Sequence, residues 1–364
     1  MKIAYLIEDF AIKGGAEHII AEKANALNTL YGHEVTVITV YRDDRQPAYR
    51  LDNGVSLIRL NVDFADRSGG TAARAMSRIK TLATTRKRLQ RAISRLRPDI
   101  VFLTMPVGAL MLPLIRCRAR KVYESHSARR FTPYHSLFTP MELIADAVVC
   151  LTADDAREYS HARRTEVIPN FIETPTSYVA DYGVKRAIAV GRLEYAKGFD
   201  RLISCWSAAL KANPGWQLDI YGEGSCRQQL EQQIKALNVE DSIRLCGNVD
   251  NIMDIYPKYS LNAVSSRYEG LNMAMIEAQA CGLPSVTFNF KYGASGIISN
   301  DVNGLIVPQD DAAAYTRALS AMMSDEAMRA RCGAEARLTA RRYTRDEIIA
   351  KWQRLITKLC TDKQ

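Results

Sequence analysis

Short apolar segments alternate with helical patterns along the chain. In the first half a helical pattern runs from Glu17 to Leu30, between the first two of six predicted strands. These strands are predicted over Lys2–Ile7, Glu34–Val40, Val55–Leu60, Ile100–Thr104, Lys121–Glu124 and Ala147–Leu151. Because the segments are almost continuously apolar rather than alternating, we expect a parallel sheet that is covered by helices on both faces.

The same alternation starts again after Ile168-Pro169-Asn170. Further strands are predicted over Lys185–Val190, Gln217–Tyr221, Ile243–Leu245, Leu261–Ser265 and Ser285–Phe288, and helices over Asp200–Ala212, Arg227–Leu237 and Met273–Cys281. Residues 173–183 have the composition of a linker. We therefore predict an α/β fold of two doubly wound, Rossmann-like domains over residues 1–172 and 183–345. We expect them to face each other across a cleft beyond the carboxyl ends of their strands.

The bulk composition fits a globular protein. The 364 residues are 47% hydrophobic and 24% charged, and the chain is too long for one ordinary core. The apolar start ends at Glu8, too early for a signal peptide, and the longest apolar run contains Pro113 and is too short to cross a bilayer. We expect a cytoplasmic protein whose eight cysteines, none of them in a C-x-x-C pair, stay reduced.

The net charge of +9 is concentrated in one segment. Ten Lys/Arg residues and no acidic residue lie between Arg67 and Arg97. The segment predicts a helix with an apolar stripe of Ile79, Leu82, Leu89, Ile93 and Leu96. We expect its basic surface to lie against an anionic membrane. The alternatives are a solvated helix packed on the sheet and a site for nucleic-acid phosphates. Because the segment has no aromatic residue for base stacking, we predict no nucleic-acid partner.

Two glycine turns follow predicted strands. Gly14-Gly15-Ala16-Glu17 would let backbone N–H groups approach an anion at the start of the first helix, although a tight turn explains it equally well. Tyr221-Gly222-Glu223-Gly224 begins like a dinucleotide fingerprint, but Arg227 stands at the position of the third glycine. The sequence therefore argues against a nicotinamide or flavin enzyme, and we predict no cofactor.

Two stretches far apart in the chain offer ligands for a nucleotide-diphospho-sugar. In Gly191–Gly198, Arg192 and Lys197 flank a turn that follows a predicted strand. In Glu269–Glu277, a glycine leads into a helix start, with one carboxylate before it and another on the helix. Cations and helix N–H groups bind diphosphates, and carboxylates accept hydrogen bonds from sugar hydroxyls. A surface Arg and Lys and a capping glutamate are the alternatives, but capping does not explain the second carboxylate.

A histidine follows another predicted strand. His126 comes directly after Lys121–Glu124, so we expect its side chain at the carboxyl end of the sheet, where ligands bind in this architecture. A merely structural histidine is the alternative. The other histidines have no comparable setting.

Taken together, these motifs resemble the retaining glycosyltransferases of family 4, whose two-domain fold is called GT-B. The resemblance covers nearly the whole chain, from Gly14-Gly15 through Gly191-Arg192-Leu193, Lys197-Gly198 and Glu269–Glu277 to Asn303–Pro308. It implies that residues 346–364 return to the N-terminal domain, with a helix over Asp346–Leu359.

The resemblance also implies roles for individual residues. Arg192 and Lys197 would bind the donor diphosphate, and Glu277 would hold the ribose. His126 would touch the donor sugar near its reacting carbon, and Glu269 would contact the donor sugar and phosphate. The candidate catalytic residues are thus His126, Arg192, Lys197 and Glu269. Further donor contacts are implied for Gly15, Gly191, Leu245, Gly270, Leu271, Asn272 and Met273, with Leu245 in the stretch that borders the nucleobase.

The implied activity is transfer of a sugar from a nucleotide donor, expected to be a UDP-sugar, with retention of configuration and without a metal ion. The expected acceptor is a lipid-linked saccharide of bacterial surface-polysaccharide synthesis. A nucleotide-sugar epimerase of similar fold, a non-catalytic nucleotide-sugar sensor and a protein that binds anionic surfaces through the basic segment are the alternatives. Gly296 and Asn272 depart from the family pattern, which has an acid and a Pro, Gly or Ser there, and we expect them to affect the choice of sugar.

Overall fold

The computed structural model describes residues 1–42, 45–66, 68, 70–172 and 180–361. The chain forms two compact units. The first comprises residues 1–169 together with the C-terminal segment from Ile348, and the second comprises residues 170–347. Arg67 of the basic segment and residues 173–179 of the predicted linker lie outside the described residues.

A parallel sheet forms the centre of the first unit. Over the described ranges its strands are β1 Lys2–Ile7, β2 Glu34–Tyr41, β3 Val55–Val62, β4 Ile100–Thr104, β5 Arg120–Glu124, β6 Ala147–Cys150 and β7 Thr165–Val167. They lie in the order β3-β2-β1-β4-β5-β6-β7, and every neighbouring pair is parallel. The strand order reverses between β1 and β4, which is where doubly wound sheets bind ligands.

Helices connect these strands. They are α1 Gly15–Tyr31, α2 Thr71–Leu96, α3 Met105–Met111, α4 Thr139–Ile144 and α5 Ala153–Ala156. The basic helix α2 buries Leu89 and Ile93 in the core of this unit and packs Leu82 and Leu96 against its margin. The predicted stripe is wrong at Ile79, which is 60% exposed, because the buried part of α2 begins only at Thr85.

The second unit is also built on a parallel sheet with helices between its strands. In the part of the chain that the structure describes, its strands are β8 Arg186–Val190, β9 Gln217–Tyr221, β10 Ile243–Gly247, β11 Leu261–Val264, β12 Ser285–Phe288 and β13 Gly304–Val307. They are parallel throughout and lie in the order β10-β9-β8-β11-β12-β13. The helices are α6 Phe199–Leu210, α7 Arg227–Ala236, α8 Met273–Ala280, α9 Ala294–Ile297, α10 Ala312–Ser324 and α11 Glu326–Ala340.

The last helix, α12 Arg345–Thr361, passes from the second unit into the first. Its Trp352 packs edge-on against Phe102 of β4, with 5.5 Å between the ring centroids. Gln353 Oε1 lies 2.7 Å from Nε2 of His33. The described residues contain no helix that is both long and apolar enough to cross a bilayer.

The two parallel sheets confirm the predicted fold class, and most strand and helix bounds differ from the prediction by one or two residues. The strands β7 and β13 and the helices α3–α5 and α9–α11 were not predicted. β7 is short, and both of its terminal residues are exposed, so it carries no apolar signal. The predicted helix over Met273–Cys281 is confirmed as α8, which begins at Met273 behind an N-cap at Asn272, so Gly270 lies in the loop ahead of the helix.

Candidate functional site

The loop after β8 places Lys197 directly over Gly191. A Cβ atom at Gly191 would lie 2.9 Å from Cε of Lys197, so a larger residue there would displace this side chain from its place across the strand end. Gly198 has a φ of 63°, and a Cβ there would lie 2.3 Å from the carbonyl oxygen of Ser265. Both glycines of the stretch therefore permit close backbone approaches, and together they set the position of Lys197.

Lys197 meets the first carboxylate of the second stretch. Its Nζ donates to Oε1 of Glu269 at 2.6 Å, and the two side chains are 19% and 13% exposed. The same oxygen accepts hydrogen bonds from the Ser266 hydroxyl at 2.7 Å and from Nδ2 of Asn272 at 3.2 Å. An ammonium has three N–H donors, so Lys197 keeps two for a ligand.

Asn272 connects this carboxylate to the start of α8. Its Oδ1 accepts a hydrogen bond from the backbone N–H of Met275 at 3.0 Å, while its Nδ2 donates to Glu269. The residue that departs from the family pattern is thus an N-cap. The first-turn N–H groups of a helix carry partial positive charge and suit an anion. Gly270 and Leu271 lie in the loop ahead of them.

Two arginines, Arg201 and Arg267, hold the loop that carries Glu269 through hydrogen bonds. Arg201 of α6 donates to the carbonyl oxygens of Ser265 and Ser266. Arg267 makes a bidentate ion pair with Asp200, at 2.7 and 2.6 Å. Sequence reasoning missed both arginines, because nothing in their local sequence shows which loop they bind.

A cavity of about 250 Å³ lies beside Arg192. Val190, Gly191 and Arg192 line one part of it, and residues from the turns after β9 and β10 line the rest: Tyr221, Gly222, Glu223, Asn248, Val249 and Ile252. Arg192 is exposed and makes no ion pair with any described residue. Of the lining residues outside Gly191–Gly198, the sequence singled out only the glycine turn at Tyr221–Gly224.

Leu245 and Glu277 occupy different settings. The Leu245 side chain packs against the core of the second unit, and its carbonyl oxygen accepts a hydrogen bond from Arg227 at 3.2 Å. Glu277 lies in the middle of α8, where its Oε2 is 3.3 Å from the hydroxyl of Tyr256. Burial and the charge of Glu277 raise the pKa of Tyr256, so this phenol stays protonated as a donor.

Within the described residues, no three His, Cys, Asp or Glu side chains could together hold a metal ion.

Gly15 and His126 belong to the first unit. Gly15 is the first residue of α1, and the space where its Cβ would lie is open. His126 follows β5, and its side chain is 6% exposed, with Nε2 3.3 Å from Oε1 of Glu124. Neither ring nitrogen makes a hydrogen bond to a described residue. Burial lowers the pKa of His126, which favours the neutral imidazole.

A buried ion pair between Lys23 and Glu124 lies next to His126. Nζ of Lys23 lies 2.5 Å from both carboxylate oxygens of Glu124, and the two side chains are 0% and 3% exposed. The ammonium also lies 3.8 Å from the ring centroid of Trp352 and 4.8 Å from that of Tyr5. No local pattern predicts this pair, because the two residues are 101 positions apart.

Comparisons with known proteins agree with the fold. The family model "Glycosyl transferases group 1" matches residues 173–339, and the model "Glycosyltransferase Family 4" matches residues 13–175. Among solved structures, the sucrose-phosphate synthase of Thermosynechococcus elongatus is similar over 100% of both chains, with a TM-score of 0.82 and 18% sequence identity. The fold and these matches define a protein of the GT-B class. Within that class, the chain is a glycosyltransferase.

Relatives of similar length occur in bacteria. An uncharacterized glycosyltransferase of Haemophilus influenzae is 25% identical over 98% of this chain and 99% of its own. The amylovoran biosynthesis glycosyltransferase AmsD of Erwinia amylovora is 27% identical over 98% and 99%. A Campylobacter jejuni relative is 26% identical over 99% of both chains, and it is named as an α-1,4-N-acetyl-D-galactosaminyltransferase acting on a diNAcBac-PP-undecaprenol-linked saccharide.

The buried ion pair generates a stability prediction. Lys23→Met should lower the free energy of unfolding by about 3–5 kcal/mol, because it leaves the Glu124 carboxylate buried without its cation. Denaturant unfolding followed by circular dichroism measures the change. The double variant Lys23→Met/Glu124→Gln should recover much of the loss. If the two substitutions simply add, the residues are not energetically coupled and the interpretation is wrong.

Proposed function

We propose that this protein transfers a sugar from a nucleotide-diphospho-sugar, expected to be a UDP-sugar, to a saccharide acceptor with retention of anomeric configuration. The observation that carries the proposal is the contact of Lys197 with Glu269 at the start of α8. It puts a cation, a carboxylate and helix N–H groups within one small region. The cavity beside Arg192 supplies adjoining space for a nucleoside.

The donor would be bound by groups of complementary chemistry. Arg192 and Lys197 would pair with the diphosphate together with the first amides of α8. The loop Gly270–Leu271 would lie along it. Glu277 would accept hydrogen bonds from the ribose hydroxyls, with Tyr256 holding its carboxylate. Asn248 and Val249, rather than the side chain of Leu245, would border the base, because these two residues line the cavity.

The chemical step needs charge stabilisation more than a strong base. As the bond between the sugar and the diphosphate breaks, positive charge develops on the anomeric carbon and negative charge on the leaving oxygen. Arg192, Lys197 and the α8 amides would stabilise that negative charge where it forms. In this scheme the leaving phosphate takes the acceptor proton on the same face of the sugar, so configuration is retained and no metal ion is needed.

Glu269 has a binding role in this scheme. Its Oε1 already accepts hydrogen bonds from Lys197, Ser266 and Asn272, which makes it a poor nucleophile. A sugar hydroxyl that donates to the same carboxylate would fix the donor sugar. A neutral His126 would donate one N–H to the sugar near its reacting carbon, and Gly15 would bring a backbone N–H to the donor phosphates.

The acceptor is proposed to be a lipid-linked saccharide of bacterial surface-polysaccharide synthesis. The names of the Erwinia and Campylobacter relatives support this, since one concerns a polysaccharide and the other an undecaprenyl-diphosphate-linked saccharide. Helix α2 adds support, because its first half exposes Met76 beside its cations and lacks acidic residues. Such a surface suits the anionic face of a membrane.

An epimerase of similar fold makes a different product. Incubation with the nucleotide-sugar alone distinguishes the two activities. An epimerase would release an altered nucleotide-sugar without an acceptor, whereas the transferase proposed here would release free nucleotide only on transfer to an acceptor or to water. A nucleotide-sugar that binds without any turnover would identify a sensor.

Removing the loop cation should slow the reaction. Lys197→Ala should lower kcat/KM by roughly 30- to 900-fold, which corresponds to about 2–4 kcal/mol of lost transition-state stabilisation. The measurement is nucleotide release with a panel of nucleotide-sugars and membrane-extracted acceptor. Lys235→Ala, which removes an exposed lysine of α7, is the control and should be unchanged. Wild-type turnover in both Lys197→Ala and Arg192→Ala would refute the charge site.

Vesicle flotation tests the membrane surface. Lys80, Lys87 and Arg91 are exposed and follow one another on one face of α2. The wild-type chain should float with vesicles containing phosphatidylglycerol and not with phosphatidylcholine alone. The variant K80E/K87E/R91E should lose flotation, whereas K211E/K235E/K258E, with the same charge change on the second unit, should keep it. Equal flotation of the two variants would contradict a docking role for α2.

A further inference from the structure

A second, larger cavity lies entirely within the first unit. It measures about 440 Å³, within the range of about 300–1,000 Å³ typical of small-molecule sites. Its walls come from the end of β1, the end of β2, the first half of α2 and the loop before α4. None of the candidate donor-site residues lines it.

The Glu8 carboxylate lines this cavity next to the apolar side chains of Val107 and Leu110. Glu8, directly after β1, accepts a hydrogen bond from the backbone N–H of Val107 at 3.1 Å through Oε1. No described residue donates to its Oε2. Burial raises the pKa of Glu8, which is the expected cost of a carboxylate held away from water. A hydroxyl donor from a ligand would relieve that cost.

Two cations line the same cavity without an acidic partner. Arg74 and Arg78 lie four residues apart on α2, so their side chains share one helix face. Neither makes an ion pair with a described residue. Asp66 also lines the cavity, but both of its carboxylate oxygens accept hydrogen bonds from Ser68 at 2.8 Å. The two guanidinium groups are therefore available for an anion such as a phosphate.

The remaining walls are aromatic and aliphatic. Tyr41 stacks on Phe64 with 4.1 Å between ring centroids, and Phe64, Tyr134 and Leu137 are all exposed although they line the cavity. Large apolar side chains that stay exposed around a cavity indicate a binding surface for an apolar ligand.

We propose that this cavity binds the acceptor as a glycosyl diphosphate on an isoprenoid chain. Glu8 accepts a hydrogen bond from a hydroxyl of the acceptor sugar. Arg74 and Arg78 pair with the diphosphate, and the exposed aromatic and aliphatic residues contact the first part of the chain. The inference rests on the proposed transferase function and adds the residues that select a phosphorylated, lipid-bearing acceptor.

Calorimetric titration of the full chain with farnesyl diphosphate tests the phosphate contacts. The variant R74A/R78A should bind this probe at least about tenfold more weakly than the wild type. Binding of farnesol should not change between the two. The control K211A/K235A removes the same charge from exposed lysines of the second unit and should bind farnesyl diphosphate like the wild type. Equal weakening in both variants, or in neither, would overturn the proposal.

Glu8 is tested with the sugar attached. Among glucosyl, galactosyl and N-acetylglucosaminyl farnesyl diphosphates, at least one should bind the wild type more tightly than farnesyl diphosphate. Glu8→Gln should abolish that advantage while leaving farnesyl diphosphate binding intact. No advantage for any of the three, or an advantage that survives Glu8→Gln, would refute the role of Glu8.

Titration with UDP separates this inference from the donor site. R74A/R78A and Glu8→Gln should bind UDP like the wild type. If UDP fails to bind the wild type while arginine-dependent farnesyl diphosphate binding remains, the proposed uridine donor is wrong, whereas the cavity still binds an isoprenoid diphosphate.

Discussion

The ion pair between Lys197 and Glu269 organises the second unit around its candidate site. A cation that must meet a diphosphate needs a fixed position before the ligand arrives, since ordering a lysine side chain costs conformational entropy. Glu269 supplies that position at 2.6 Å, and Gly191 supplies the space in which the lysine lies. The position of this ammonium therefore decides whether one ligand can contact the start of α8, the loop held by arginines and the nearby cavity together.

A second lysine–glutamate pair shows how burial changes whether a ligand can reach the two charges. Lys23 and Glu124 are almost inaccessible and are enclosed by aromatic rings, so no ligand can compete for either charge. Lys197 and Glu269 keep some exposure, and the ammonium has donors left over. The same two residue types therefore serve as a fixed support in one unit and as a polar surface that ligands can reach in the other. Sequence alone cannot separate these cases, because exposure depends on which helices cover the pair.

The fold was largely predictable from sequence because parallel strands are continuously apolar and helices separate them. The prediction failed where that signal is weak, as in β7, whose terminal residues are exposed. In the site, Gly191, Lys197 and Glu269 could be found from local pattern and resemblance. The start of α8 at Met273 was predicted from its apolar helical run, and Asn272 before that run is an ordinary N-cap. The contacts of Arg201 with the Glu269 loop and of Lys23 with Glu124 join residues far apart in the chain, so no local pattern predicts them.

The cations of α2 have different roles in the structure, whereas the sequence shows only that the segment is strongly basic. Arg88 donates to the carbonyl oxygens of Leu60 and Asn61, so this cation holds the end of β3. Arg74 and Arg78 line the 440 Å³ cavity. The exposed cations that remain for a surface are Lys80, Arg86, Lys87, Arg91, Arg95 and Arg97. The number of charges able to meet an anionic membrane is therefore below the number in the segment. On the proposed membrane surface, an electrostatic attraction of about 1 kcal/mol per surface cation would give a weak, reversible attachment rather than a permanent anchor.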